Sequence, residues 1–406
     1  MKIVAVIGTF DTKGEEFAFV RDTIQSLGVK TLMIHTGVFE PTISADISNA
    51  EVAQAAGYDI ADIASKKDRA FATEILSKGM KNLLPDLYAQ KCFDGVISFG
   101  GSGGTALATA GMRELPIGVP KVMVSTVAGG DVSVYVGHSD IFMYPSIVDV
   151  AGINAISQKI FINGSHAIAG MVQFAHEAQK IQETSGKPLI AATMFGVTTP
   201  AVNEARKYLE DKGYEVITFH ATGVGGKAME KLIASGYFKG VLDLTTTEWC
   251  DELFGGVCNA GPDRLTAAGN NGIPQVASVG AMDMVNFGAY DTIPAHYTQR
   301  NLYKHNPFVT LMRTNAEENR QLGEKLAEKL NSAQSPTALI LPLGGVSMID
   351  AEGQAFYGPE ENKVLFDTLK AKVNLDKIDL IEMNNNINDA AFAVAAAQKL
   401  IDLIEE

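Results

Sequence analysis

Short apolar runs alternate along this chain with stretches of helical spacing, and that alternation predicts repeated strand, helix, strand units. The opening run KIVAVIG reads as a buried strand ending at Gly8. After the loop TFDTKGEE, apolar residues at Phe17, Val20, Ile24 and Leu27 mark one face of a helix, which Gly28 closes before a second strand, VKTLMIHTG. Units of this kind build parallel sheets with right-handed crossovers. Residues 39–65 are polar and mixed, with Pro41 and Asp46, and predict a long loop or excursion over the strand ends. Helical spacing resumes over 69–79 and 83–91.

The first half is organised around FDGVISFGGSGGTALATAG, residues 93–111. Val96, Ile97 and Phe99 lie in a charge-free run suited to a strand buried on both faces. Gly100, Gly101, Gly103 and Gly104, with only Ser102 between them, then predict a sharp turn with φ > 0 and close approach to a ligand. From Thr105 a helix follows, whose first N–H groups lack internal partners and carry the positive end of its dipole. This is the pattern of an anion cradle, with phosphate as its usual guest. Gly101, Gly103 and Ala106 satisfy G-x-G-x-x-A, but the next strand, KVMVSTV, ends in Ser125 and Thr126 rather than in the acidic residue an NAD ribose needs. The pattern G-x-x-x-x-G-K-[ST] is absent. A plain strand-to-helix turn is the alternative, although four glycines exceed what it requires.

Residues 128–154 have little period yet carry Gly129, Gly130, Asp131, His138, Ser139 and Asp140, which suits a loop lining a site. A helix over 154–183 then runs into Ser185-Gly186-Lys187-Pro188, which sets the predicted domain boundary. Beyond it the pattern starts again: PLIAATMFGVTTPAVNEARKYLEDKGYEVITFHATG can be laid on the first 37 residues, and FKGVLDLTT on FDGVISFGG. The expected fold is therefore α/β, with two Rossmann-like doubly wound domains of mostly parallel strands: a nucleotide-binding one at 1–186 and a C-terminal one at 187–406. Later strands are expected at IPQVASVG, HNPFVTLM, TALILPLGG and KIDLIEM.

A length of 406 residues exceeds the about 250–300 at which one core stops growing, in keeping with two domains. The net charge of −14 argues against nucleic acid or an anionic membrane as partner. No apolar run reaches the length that spans a bilayer, and the N-terminal apolar run is too short for a signal peptide. Cys92, Cys250 and Cys258 are not in metal spacing and are expected as reduced thiols of a cytoplasmic protein. Cys250, beside Glu248 and Trp249, is open to a nucleophilic role or to that of a buried bystander.

Ligands in open α/β sheets lie beyond the carboxyl ends of the strands. There the first domain offers Thr9, Asp11, Thr12 and Lys13, then His35 and Thr36, then Gly100 to Thr105, then Ser125 and Thr126. Hydroxyls, glycines and a lysine suit phosphate oxygens; Asp11 suits Mg²⁺ or a ribose hydroxyl, or caps the helix. Asp140 is a second candidate for Mg²⁺. The second domain delivers His220, Glu248 and Asp389, a candidate general-base group if the strand order brings them together, with Asp389 also a candidate N-cap. Arg300 and Arg313 give PAHYTQRNLYKHNP and its surroundings a local basic surplus able to neutralise an anion.

GTFDTKGEE (8–16), FGGSGGT (99–105), VSTVAGGDVSVYVGHSDI (124–141), FHATGVGGKAME (219–230) and NPFVTLMRT (306–314) together resemble a family of ATP-binding proteins similar to the N-terminal region of the tomato mosaic virus resistance protein. The resemblance covers nearly the whole chain. It implies two Rossmann-like subdomains, ATP on the first, self-association as a homo-oligomer, and company with a TIM-barrel enzyme. By motif match the nucleotide contacts fall on Thr9, Asp11, Thr12, Lys13, Gly101, Ser102, Gly103, Gly104 and Thr105, with Ser125 and Thr126 in a further motif. Ala128-Gly129-Gly130 departs from the expected Ala-Ser-Gly and removes a hydroxyl. The leading expectation is a cytoplasmic ATP-binding protein, an enzyme using or sensing ATP while acting on a small anionic metabolite between its domains. The alternatives are a non-catalytic ATP-binding module, and an ATP-independent hydrolase or isomerase with its site in the second domain.

Overall fold

In the computed structural model, side chains are described for residues 1–175 and 186–406. The chain divides into two compact units, Met1–Gly186 and Lys187–Glu406. The first runs β1 (Ile3–Gly8), α1 (Gly14–Ser26), β2 (Lys30–His35), α2 (Asn49–Ala55), α3 (Ile60–Ser65) and α4 (Arg69–Ala89). It continues with β3 (Gly95–Gly100), α5 (Ser102–Met112), β4 (Lys121–Ser125), α6 (Ser133–Val136), β5 (Phe142–Pro145) and α7 (Ala155–Ser185). Its five strands are all parallel, in the order β2-β1-β3-β4-β5. Alternate residues of one strand feed opposite cores: Val4 and Val6 enter one hydrophobic cluster, Ala5 and Ile7 the other. Both faces must be covered by helices, which is why the strands read as unbroken apolar runs.

The second unit begins with β6 (Leu189–Met194), α8 (Thr199–Asp211), β7 (Glu215–His220), α9 (Val224–Ala234), β8 (Gly240–Thr245), α10 (Glu248–Phe254), α11 (Ala267–Asn270) and β9 (Gln275–Gly280). Then come β10 (Met284–Phe287), β11 (Leu302–Asn306), β12 (Val309–Arg313), α12 (Ala316–Asn331), β13 (Thr337–Pro342), α13 (Pro359–Lys372), β14 (Ile378–Met383) and α14 (Ala390–Glu405). A six-stranded parallel sheet runs β14-β13-β9-β8-β6-β7, so its first five strands in chain order take the same places as those of the first sheet. The registers agree as well: Val4 is opposite Gly95 as Ile190 is opposite Gly240, and Gly8 is opposite His35 as Met194 is opposite His220. The internal repeat is thus a repeat of topology and of register.

Three expectations change. Residues 39–65 contain two short helices, nucleated by caps: the Ser48 hydroxyl accepts from the Glu51 N–H while the Glu51 carboxylate accepts from the Ser48 N–H, and Asp59 caps α3. The helical segments at 69–79 and 83–91 are one helix, α4; Gly79 does not end it but lets α2 pass, since a Cβ there would lie 2.0 Å from the Val52 carbonyl oxygen. HNPFVTLM is not a parallel strand. It carries the turn of the β11–β12 hairpin, in a separate antiparallel sheet of order β10-β12-β11. Among the described residues no helix is long and apolar enough to cross a membrane.

Candidate functional site

The order of the first sheet reverses between β1 and β3, and beyond their carboxyl ends lies a cavity of about 690 Å³. A reversal of this kind leaves a crevice that neighbouring loops can line. Its walls are Gly8, Thr9, Asp11, Thr12 and Lys13 after β1; Thr36 to Phe39 after β2; Ser98 and Gly100, Gly101, Gly103 and Gly104 around the end of β3; and Ile63, Ala72, Leu76 and Leu107 from the flanking helices.

None of Gly100, Gly101, Gly103 and Gly104 has φ in the left-handed region, so the expected positive φ is not why glycine stands here. Nor do neighbours demand it at three of the four. A Cβ on Gly101 would come no closer than 3.7 Å to Thr126 Oγ1, on Gly103 3.5 Å to Arg69 Nη2, and on Gly104 3.9 Å to the Phe99 carbonyl oxygen, all ordinary contacts. What the bare backbone preserves is room in front of the α5 N-terminus. That terminus has Gly101 as N-cap with no side-chain hydrogen bond, and among the described residues the N–H groups of Ser102, Gly103 and Gly104 meet no acceptor. The N-terminus of α1, entered through Lys13, also lacks a side-chain cap.

The β1–α1 turn is braced from β2. His35, fully buried, accepts the Phe10 N–H at Nδ1 (3.1 Å) and meets the Phe39 carbonyl at Nε2 (2.9 Å), which fixes the neutral tautomer with the proton on Nε2. Asp11 Oδ2 accepts the Phe39 N–H at 3.1 Å, while its buried Oδ1 has no partner among the described residues. The Lys13 ammonium donates to the Val150 carbonyl. Lys67 and Arg69, both exposed, add two further cations to the rim; nothing near the glycine turn in sequence pointed to them. The signal available was Asp68, whose carboxylate caps α4 and so fixes where Arg69 begins that helix.

Several expected contacts lie elsewhere. Ser102 is not in the cavity wall. Thr105 and Ser125 are fully buried and bonded to each other (Oγ1 to Oγ, 2.6 Å), so their hydroxyls brace α5 on β4. Thr126 lines a second cavity, of about 460 Å³. Asp140 is far from any phosphate path: it holds the buried Lys121 ammonium (2.5 Å) and the Gly118 N–H (2.7 Å) at the amino end of β4, the edge of the sheet opposite the ligand crevice.

In the second unit the corresponding β8–α10 turn is tied into a buried ionic cluster. Arg264, fully buried, spends all five N–H donors: Nε to Glu248 Oε2 (2.6 Å), Nη1 to Asp243 and to Glu230 (3.2 Å), Nη2 to Asp243 Oδ1 (2.7 Å) and to the Thr245 carbonyl (3.4 Å). Glu248 is correspondingly occupied, its Oε1 accepting the N–H groups of Gly223 (2.6 Å) and Gly226 (3.1 Å) at the start of α9. Among the described residues no hydrogen bond joins His220, Glu248 and Asp389, and β7 and β14 are opposite edges of the sheet. Asp389 instead pins the asparagine loop, Oδ2 accepting from Asn385 Nδ2 and the Asn386 N–H. These three residues form no general-base group here, because two are consumed in structural bonds and the third stands apart.

The local basic surplus is consumed in the same way. Arg300 is bidentate to Glu318 (2.8 and 2.7 Å), and buried Arg313 bonds Asp350, Asn362, the Thr314 hydroxyl and three carbonyls. Burial and nearby carboxylates push the Cys250 thiol well above its ordinary range, so it is no nucleophile.

Comparison with known proteins places this architecture. The N-terminal domain of an uncharacterised protein family, UPF0261, matches residues 2–177, and its C-terminal domain matches residues 187–404. The chain belongs to the UPF0261 family. A UPF0261 protein of Clostridium tetani is 55% identical over 100% of both chains. The ToMV resistance protein Tm-1(GCR237) of Solanum lycopersicum is 40% identical over 98% of this chain, which spans 55% of the tomato protein. The resemblance carried by GTFDTKGEE and FGGSGGT is therefore correct as to family. Among solved structures, a putative UDP-N-acetylglucosamine 2-epimerase from Listeria monocytogenes shares 14% identity over 68% of this chain and 79% of its own, with a TM-score of 0.25, too low to argue from.

Proposed function

We propose that the first unit of this UPF0261 protein binds a nucleoside triphosphate, ATP or a close relative, in the cavity beyond the carboxyl ends of β1 and β3. One observation carries the reading: three glycines that neither φ nor packing requires form the N-cap and first turn of a helix without a side-chain cap, and line the cavity. Bare amides and a helix dipole suit phosphate oxygens. Lys13, Lys67 and Arg69 supply the countercharge that a protein of net charge −14 must provide locally. Apolar side chains of Ile63, Ala72, Leu76 and Leu107 also line the cavity and suit the face of a base.

Mg²⁺ fits this reading at Asp11, whose buried, unpartnered Oδ1 would serve as one carboxylate ligand beside phosphate oxygens and waters. Bound there, the ion would neutralise phosphate charge. Asp140 does not fit, being spent on Lys121.

The test is calorimetric titration of the full chain with ATP and Mg²⁺, wild type against Gly103→Val, a substitution the fold has room for. Binding in the wild type that the valine abolishes is expected. No binding up to millimolar ATP, or binding indifferent to the valine, defeats the reading.

A further inference from the structure

The second cavity, of about 460 Å³, lies on the other side of the glycine turn, beyond the carboxyl ends of β4 and β5, and Thr126, Gly129, Ser146, Val148 and Asp149 are in its wall. Two features tie it to the first. Thr126 is the nearest neighbour that a Cβ on Gly101 would meet, so the two cavities flank the same turn. Asp149 lines both. Its carboxylate is exposed and has no hydrogen bond among the described residues.

The turn that delivers Asp149 is strained. Ile147 has φ of 64°, and the Val148 N–H reaches back to the Ser146 carbonyl at 2.6 Å, closing a three-residue turn around a β-branched residue. Burial does not compensate, since the Ile147 side chain is 77% exposed. The Ser146 hydroxyl, buried and bonded to the Val148 carbonyl at 2.6 Å, locks this geometry. Strain kept without packing gain is characteristic of positions held for a ligand. The lining contains no lysine, arginine or histidine, and its one charge is negative. The first cavity sets Lys13, Lys67 and Arg69 against the same Asp149, but here an anion would find no countercharge; a neutral molecule with hydroxyl groups would find Asp149 as acceptor and Thr126 as donor or acceptor.

We infer that this compartment is a binding site for a small, neutral, hydroxyl-bearing molecule, with Asp149 accepting a hydrogen bond from it on the side toward the glycine turn. This departs from the anionic metabolite expected from sequence. It rests on the nucleotide reading for its purpose, a second ligand beside the phosphate end, and not for its test.

The test is saturation-transfer NMR on the full chain with D-ribose, erythritol and glycerol as probes and acetate and malonate as controls. Gly129→Phe places a ring at the wall of the compartment, at a position where a Cβ meets no atom within 4 Å and φ is not positive, and an unchanged thermal melt confirms that the variant is folded. Expected are transfer from at least one polyol, its loss in Gly129→Phe, its weakening about tenfold in Asp149→Asn as a charge-assisted hydrogen bond is removed, and its persistence in Gly103→Val. Silence from all three polyols, transfer from the carboxylates in their place, or polyol transfer untouched by Gly129→Phe overturns the inference. ATP titration of the same variants reads the other site separately: polyol binding without ATP binding would sink only the nucleotide reading.

Discussion

Gly103 and Glu248 hold the same place in two copies of one strand, turn and helix, the same number of residues beyond the register-matched glycines Gly95 and Gly240. In the second copy a carboxylate at this place binds Arg264 and the N–H groups of Gly223 and Gly226 at the start of α9. In the first, no side chain stands there, and the turn borders an open cavity. One topology thus carries a bonded carboxylate in one copy and bare backbone in the other, and the bare one is where we place a ligand.

The buried cluster of the second unit depends on Arg264. Replacing it by alanine strands the buried carboxylates of Asp243, Glu248 and Glu230, and loss of one partner from a buried ionic cluster costs about 3–5 kcal/mol. Denaturant unfolding of Arg264→Ala should show a loss of that order in the second unit's transition. ATP affinity should not change.

Glycine at position 79 answers to packing, in contrast to Gly103. Gly79→Ala places a methyl 2.0 Å from the Val52 carbonyl, and overpacking of this kind costs about 1–3 kcal/mol, outweighing the roughly 1 kcal/mol that alanine gains in a helix. Thermal melts should rank Gly79→Ala well below wild type and Gly103→Val close to it.

Two buried acids give stability a pH dependence of definite sign. Burial pushes Asp251 up to about 7; burial and then the neighbouring Asp350 push Asp283 up to about 7. A carboxyl whose folded value lies above its unfolded value of about 4 favours the folded state while protonated, and that contribution disappears as pH rises toward 7. Melting temperature should therefore fall between pH 5 and pH 8, and Asp283→Asn, which cannot ionise, should flatten the decline.

The doubly wound fold was legible because parallel strands covered on both faces are mostly apolar, and IVAVIG, GVISFG and VMV are, with Ser98 the one polar residue among them. The repeat was legible because register fixes which residues a strand must keep small. The helices at 49–55 and 60–65 were written only in their caps, Ser48 with Glu51 and Asp59, because short polar helices carry little periodicity. The antiparallel sheet was hidden for a related reason: β11 is four-fifths exposed, so it lacks an apolar signature. Within the site, the glycine turn announced itself, whereas Lys67 and Arg69 reach it only through the path of the chain. His220, Glu248 and Asp389 were misread because a strand-end position reveals neither that a distant Arg264 already holds Glu248 nor that β7 and β14 are opposite edges of the sheet. Asp140 was misread because it precedes its strand and so belongs to the other edge of the sheet.

The most direct measurement is amide ¹H–¹⁵N shift mapping of the full chain during titration with ATP and Mg²⁺. If phosphate is held by the open α5 terminus, the resonances of Ser102, Gly103 and Gly104 move on binding while those of Gly223 and Gly226, already bonded to Glu248, stay in place. Shifts confined to the second unit, or none at Ser102 to Gly104 at saturating ATP, would contradict the account.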